Sequence, residues 1–176
     1  MSDVLPSREQ ALQLLRENHC SVKVIRHCRA VAGLAVETAE ILQQKGLRVD
    51  LELVEVGALL HDLGRSRTHS IDHAVIGAKL AEAAGLPENV VSIIKRHVGG
   101  GITTEEAEKL GWPKGNYVPK TLEEKIVSYA DKLIETAQRV PIELTLEKLR
   151  EEKLDVAAER VRALHDEITQ LVGKEP

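Results

Sequence analysis

Asp50-Leu51-Glu52-Leu53-Val54-Glu55-Val56-Gly57-Ala58-Leu59-Leu60-His61-Asp62-Leu63-Gly64 begins on a carboxylate suited to cap a helix and ends on a glycine suited to stop one. Between them Leu51, Val54, Ala58 and Leu59 recur at threes and fours, the period of a helix with one buried face. His61 and Asp62 then follow directly on three apolar residues. Burying an ionised aspartate without a partner is costly, so a cation is the natural candidate for company. Successive side chains diverge by about 100° around a helix, so two neighbours at its end can reach one ion from different directions.

Working outward, helices continue on both sides. Ser7-Arg8-Glu9-Gln10 is a capping pattern before Ala11, Leu12, Leu14 and Leu15. A second helix is predicted from Ser21 to Gly46 through Val24, Cys28, Val31, Ala35, Ala39 and Leu42. Others are predicted from Ile71 to Ala84, stopping at Gly85, and from Pro87, in the first helical position, through Val91, Ile94 and His97. Gly99-Gly100-Gly101 must be a loop, because three glycines in a helix would cost roughly 2–3 kcal/mol. Thr103 opens a short helix ending at Gly111, and residues 114–120 read as an exposed loop. Thr121-Leu122-Glu123-Glu124 caps a helix expected to reach about Val140, and two further helical stretches follow Thr145 and Asp155. No convincing period-two alternation occurs. The expectation is an all-α chain folded as a single domain over residues 1–176, with Pro141 marking its one subdivision.

Composition excludes several classes of function. The 176 residues carry 24 Lys and Arg against 28 Asp and Glu, a net charge of −4 and no global basic field. Trp112, Tyr117 and Tyr129 are the whole aromatic set, which argues against base-stacking nucleic-acid binders. Runs such as Ala30–Val36 and Val56–Leu60 are too short to span a bilayer. Met1-Ser2-Asp3-Val4 lacks the basic and apolar regions of a signal peptide. Cys20 and Cys28 suggest neither a disulfide framework nor a thiolate metal site. A cytoplasmic protein without membrane or nucleic-acid partners is expected.

The ionisable residues carry the chemistry. Of seven histidines, His27 follows Ile25, His61 follows Leu59-Leu60 and His97 follows Ile93-Ile94, while Asp131 ends Ile126-Val127-Ser128-Tyr129-Ala130. One such histidine is ordinarily a core residue bonded to a carbonyl. The set, however, resembles the HD superfamily of metal-dependent phosphohydrolases: His27, then His61-Asp62-Leu63-Gly64, then Tyr129-Ala130-Asp131. The resemblance covers roughly residues 20–140, leaving a C-terminal helical extension over about 141–176. It implies an HD-type helical bundle around a central metal site, with His27, His61, Asp62 and Asp131 as ligands. His73, in Asp72-His73-Ala74-Val75-Ile76-Gly77, and His97 resemble the additional pair that holds a second ion in dinuclear members. Asp62 would bridge the ions, His27, His61 and Asp131 would hold one, and His73 and His97 the other. His69 would flank the pocket, and His19 and His165 would lie on the surface.

Nitrogen and carboxylate ligands suit Mn, Fe, Co, Ni, Mg or Zn, and two such ions share a water that attacks phosphorus. Asp62 and Arg65 are the candidate catalytic residues. Arg65, directly after the motif, would neutralise substrate oxygens, aided by Arg96 and by backbone N–H groups at Gly99 and Gly100. Arg67, Lys95 and Lys132 are read as solvated charges. The expected function is metal-dependent hydrolysis of a phosphate ester or anhydride of a small nucleotide. Neither the Glu-Asp pair of alarmone hydrolases nor the tandem histidines and Gly-Tyr-Pro of cyclic-dinucleotide phosphodiesterases is present. The His97-Val98-Gly99-Gly100 form looks more like small diadenosine tetraphosphate hydrolases. The alternatives are a mononuclear 5′-nucleotidase, a non-catalytic nucleotide-sensing module and a metal-stabilised binding domain. A homodimer through the C-terminal helices is a further expectation.

Overall fold

A computed structural model describes residues 4–173 and is all-α apart from one small hairpin. The signal-peptide reading at Met1–Asp3 lies outside the described residues. The helices are α1 (Arg8–Glu17), α2 (Val22–Gln44), α3 (Leu51–Leu60), α4 (His73–Ala83), α5 (Glu88–Arg96), α6 (Thr104–Lys109), α7 (Leu122–Lys132), α8 (Ile142–Glu151) and α9 (Asp155–Val172). Strands β1 (Ile134–Glu135) and β2 (Gln138–Arg139) pair antiparallel between α7 and α8.

The caps read from sequence set most of the starts. Ser7, Thr103 and Thr121 form complete capping boxes, while Ser21 and Asp50 accept from Val24 N and Leu53 N. Four boundaries differ from expectation. Pro87 is the N-cap of α5, one position before the helix. The fourth helix begins at His73, because Ser70 and Asp72 engage each other in a turn instead of extending it backwards. The helix predicted to reach Val140 stops at Lys132, whose carbonyl accepts from the Thr145 hydroxyl, and Thr136 turns the hairpin with φ of 58°. The eighth helix accordingly starts at Ile142, ahead of Thr145.

The short third helix is almost wholly buried and packs on α1, α2, α5 and α7. One contiguous apolar cluster joins Leu15 of α1, Leu42 of α2, Leu59 and Leu60 of α3, Ile94 of α5, Ile126 of α7, Leu146 of α8 and Ile168 of α9. The last helix packs on α2, α7 and the 3-10 turn Val98–Gly100. A smaller apolar cluster of Ala74, Val75, Ile102, Ala107, Trp112 and Tyr117 covers the start of α4. His165, expected on the surface, is buried against the Tyr129 ring because α9 turns that face inward; His19 is exposed as expected. Among the described residues no helix is long and apolar enough to cross a membrane.

Candidate metal centre

The six candidate ligands come from five helices and converge at one place. His27 lies early in α2, His61 is the C-cap of α3 with Asp62 next to it, His73 opens α4, His97 is the C-cap of α5, and Asp131 lies in the last turn of α7. The close approach of α4 depends on Gly64: a Cβ there would sit 1.9 Å from the His73 carbonyl oxygen. Sequence reading gave Gly64 the role of a tight exit; it supplies the space that lets α4 lie against the 3-10 turn Leu63–Ser66.

Hydrogen bonds fix the tautomer of every histidine in the cluster. His61 Nδ1 donates to Ala58 O, His97 Nδ1 to Ile94 O and His73 Nδ1 to Ser70 O, each at 2.7 Å and each three residues back. His27 Nδ1 donates to Thr136 O of the hairpin at 3.2 Å. A carbonyl only accepts, so the proton is on Nδ1 and a neutral ring presents a bare Nε2 to the centre. The C-termini of α3 and α5 also end here, and the negative ends of their dipoles favour a cation.

Two sets of atoms result. On one side Asp131 Oδ1 stands 3.0 Å from His27 Nε2 and 3.3 Å from His61 Nε2. Asp62 Oδ2 is 3.9 and 3.7 Å from the same two nitrogens. On the other side Asp62 Oδ1 is 3.2 Å from His73 Nε2 and 3.6 Å from His97 Nε2. Asp62 therefore faces both sets, one oxygen each. His27, His61 and Asp131, and likewise His61, Asp62 and His97, are close enough to share an ion.

Two observations test whether a cation fits. His61 Nε2 is buried without a hydrogen-bond partner, because Asp131 is near but poorly aligned. His73 Nε2 and His97 Nε2 stand 3.0 Å apart, and with both Nδ1 protons committed two lone pairs face each other. A cation between such groups removes the conflict. Burial opposes charge on Asp62, but His61 and the neighbouring His73 and His97 rings hold its carboxyl well below the usual range. Asp131 is likewise held low against burial, by Lys132, His27 and His61. Burial pushes His97 down to about 4, so its ring is neutral near pH 7. His61 moves the other way: burial lowers it, but the two carboxylates raise it further. The donor set fits a divalent ion of borderline or hard character.

The expected phosphate contacts separate. Arg65 belongs to the cluster: its Nε is 3.3 Å from Asp62 Oδ1 and its Nη1 donates to His69 O. Arg96 is instead committed to Glu124, which is buried, at 2.6 Å and to Asn116 O. Gly100 packs on the backbone of α9, where a Cβ would come within 2.9 Å of Val161 N. Gly99 has φ of 58° and faces Ile102 and Ala157. These glycines make the turn and admit α9.

Lys132, read from the sequence as a solvated charge, is instead part of the centre. Its Nζ pairs with Asp131 Oδ2, the oxygen turned away from His27 and His61, and its side chain is 15% exposed. The signal available was its position directly after a ligand. It also lines a cleft of about 310 Å³ with Asp131, Thr136, Thr145 and Lys148. A larger concavity, at Gln43, Arg48, Asp50 and Glu123, contains none of the candidate ligands.

Comparison with known proteins places this architecture. The profile of the HD domain family matches residues 24–136. The chain is 46% identical over 166 residues to the uncharacterized protein MJ0778 of Methanocaldococcus jannaschii, covering 93% of this chain and 98% of that one. It is 37% identical over 171 residues to a tRNA (cytidine(56)-2'-O)-methyltransferase of Picrophilus torridus. That match takes in 97% of this chain but 49% of the methyltransferase, so the chain spans about half of that relative's length. Among solved structures, the HD domain of the L. monocytogenes phosphodiesterase PgpH, in complex with cyclic-di-AMP, superposes with a TM-score of 0.56 at 17% identity, over 92% of this chain and 96% of that one. At that identity the likeness is one of fold. The family match, by contrast, runs across all six converging side chains, from His27 to Asp131, and the chain belongs to the HD domain family.

Proposed function

We propose that this protein is a metal-dependent phosphohydrolase acting on a phosphate ester or anhydride of a nucleotide. The observation that carries the reading is the division of Asp62, one oxygen toward His27 and His61 and the other toward His73 and His97. That arrangement suits a carboxylate linking two ions, with Asp131 completing the first set. A bound divalent pair would supply an acidic water as nucleophile toward phosphorus. The residues of the chain do the rest. Ala58, Ile94, Ser70 and Thr136 carbonyls orient the four rings, and Lys132 holds the outer oxygen of Asp131. Arg65 sits where its guanidinium can neutralise substrate oxygens, with its Nη1 anchored on His69 O. The cleft beside Asp131 is of a size for a small phosphorylated ligand.

The phosphodiesterase activity named for PgpH and its cyclic-di-AMP ligand favour a nucleotide phosphodiester. A second reading takes the phosphate from RNA, because a relative sharing nearly all of this chain is named for acting on tRNA. The test is incubation of metal-loaded protein with mononucleotides, dinucleotides and an aryl phosphodiester. Metal-dependent release of phosphate, mononucleotide or aryl alcohol is expected. No release from any substrate by fully loaded protein would return the chain to the sensing or metal-stabilised binding module.

A further inference from the structure

We propose that the exposed face of α2 beside the metal centre is a docking strip for the phosphodiester backbone of single-stranded nucleic acid. The proposal deepens the phosphohydrolase reading, and rests on it only for the strand being led toward the centre. It also departs from the expectation of no nucleic-acid partner, which considered net charge and not its placement.

Lys23, Arg26 and Arg29 are exposed in the first half of α2, and among the described residues no carboxylate pairs with them. From Asn18 to Val36 the chain has no acidic residue at all. By contrast Arg150, Arg160 and Arg162 near the C-terminus each have a carboxylate partner. Lys23 lies one turn before His27 on the same side of the helix, so the strip begins at the edge of the ligand cluster. Residues 63–71, after the motif, carry Arg65, Arg67 and His69 and again no acid. Arg67 Nη1 ties that segment to the α1–α2 turn at Asn18 O.

Helix stability does not account for this placement. Cations in the first turns oppose the helix dipole, and like charges three residues apart repel. α1, α3, α5, α6, α7, α8 and α9 all carry an acidic residue in the first turn; α2 and α4 carry none, and of these two only α2 places a cation there. Gly33 adds an independent sign. It is exposed in mid-helix, a Cβ there would meet nothing within 4 Å, and glycine is the poorest helix former after proline. With Ala30 it leaves a smooth surface along the cations, where a backbone can approach closely. The strip ends at Glu37, which pairs with Arg139.

The occupant follows from these features. All three aromatic side chains are buried, which leaves no base-stacking platform and makes phosphate the recognised group. His61, His73 and His97 are recessed, so a flexible single strand can reach them where a rigid duplex cannot.

The test titrates labelled twelve-residue oligouridylate and oligothymidylate with the protein as isolated, reading fluorescence anisotropy at 50 and 200 mM salt. Three phosphate contacts predict a log–log salt slope of about −2. Arg26→Glu with Arg29→Glu should weaken binding at least tenfold, while leaving metal content and aryl phosphodiester turnover unchanged. Lys45→Glu with Arg48→Glu makes the same charge change at the far end of α2 and should leave affinity within twofold. A preference for one oligomer keeps the proposal. Binding that persists in a protein without hydrolase activity keeps the strip and sinks the phosphohydrolase reading. The proposal is overturned if neither oligomer binds, if both double variants weaken binding equally, or if only phosphatidylglycerol vesicles are bound.

Discussion

Around Asp131 two imidazole nitrogens face a carboxylate oxygen, whereas around His73 and His97 two imidazole nitrogens face each other. The first group can settle for a proton when no cation is present: against burial, Asp62 and Asp131 keep His61 prone to protonation. In the second group burial keeps the His97 ring neutral down to about pH 4. A cluster that served only to staple the fold would have no need of that unfavourable contact. The difference makes the His73–His97 side the more dependent on a bound cation, and Asp62 the residue on which both sides rely.

The largest effect should come from Asp62→Asn, which keeps the shape and removes the charge facing both sets. Turnover should fall by roughly 10³-fold or more, the scale of losing a group that stabilises developing charge. Circular dichroism should show the helices intact. Wild-type turnover with metal bound would break the comparison at its hinge. His73→Ala and His97→Ala come next. Each should cut turnover by about 10²-fold and leave the His27–His61–Asp131 side metallated, as elemental analysis can show. Arg65→Ala should cost about tenfold in turnover with metal content unchanged, as expected for a cation acting on substrate oxygens. Metal lost along with activity would mean that Arg65 works through Asp62 instead.

Chelation sharpens the same contrast through stability. An ion present at 100 times its dissociation constant stabilises the folded state by about 2.7 kcal/mol. At about 2–4 °C per kcal/mol for a chain of this length, removal should lower the melting temperature by about 5–10 °C. The drop should be smaller in His97→Ala, where the facing lone pairs are gone. An equal drop in both proteins would show that the two sides do not differ.

Away from the centre, effects should be small. Arg160 holds the Glu106 carboxyl below its usual range in a partly exposed pair. A depressed carboxyl contributes stability above its unfolded value and loses it as pH falls through the folded one. Glu106→Gln should therefore cost about 0.5 kcal/mol at pH 7, and the difference from wild type should vanish in acid. Gly33→Ala should go the other way, raising stability by about 0.5–1 kcal/mol, because no neighbour contests the added methyl. Denaturant midpoints measure both.

Much of this architecture was legible because it is written locally. The caps at Ser7, Ser21, Asp50, Thr103 and Thr121 need only two or three neighbouring residues, and all formed as read. His27, His61, Asp62, His97 and Asp131 were visible as ionisable groups on otherwise apolar helices, and His73 through the family resemblance. What stayed hidden depends on distant partners. Thr136 orients His27 from 109 residues away, through a hairpin that interrupts an expected helix. Arg96 resembled a phosphate contact because nothing local reveals Glu124, and Gly100 resembled an anion cradle because nothing local reveals α9. His165 is buried by that same helix.

The most direct test of the central claim is metal stoichiometry by elemental analysis of fully loaded wild type beside His73→Ala and His97→Ala. The account predicts two ions per chain in wild type and one in each variant. One ion per chain in wild type, kept by both variants together with most of their activity, would contradict it and leave a single-ion nucleotidase.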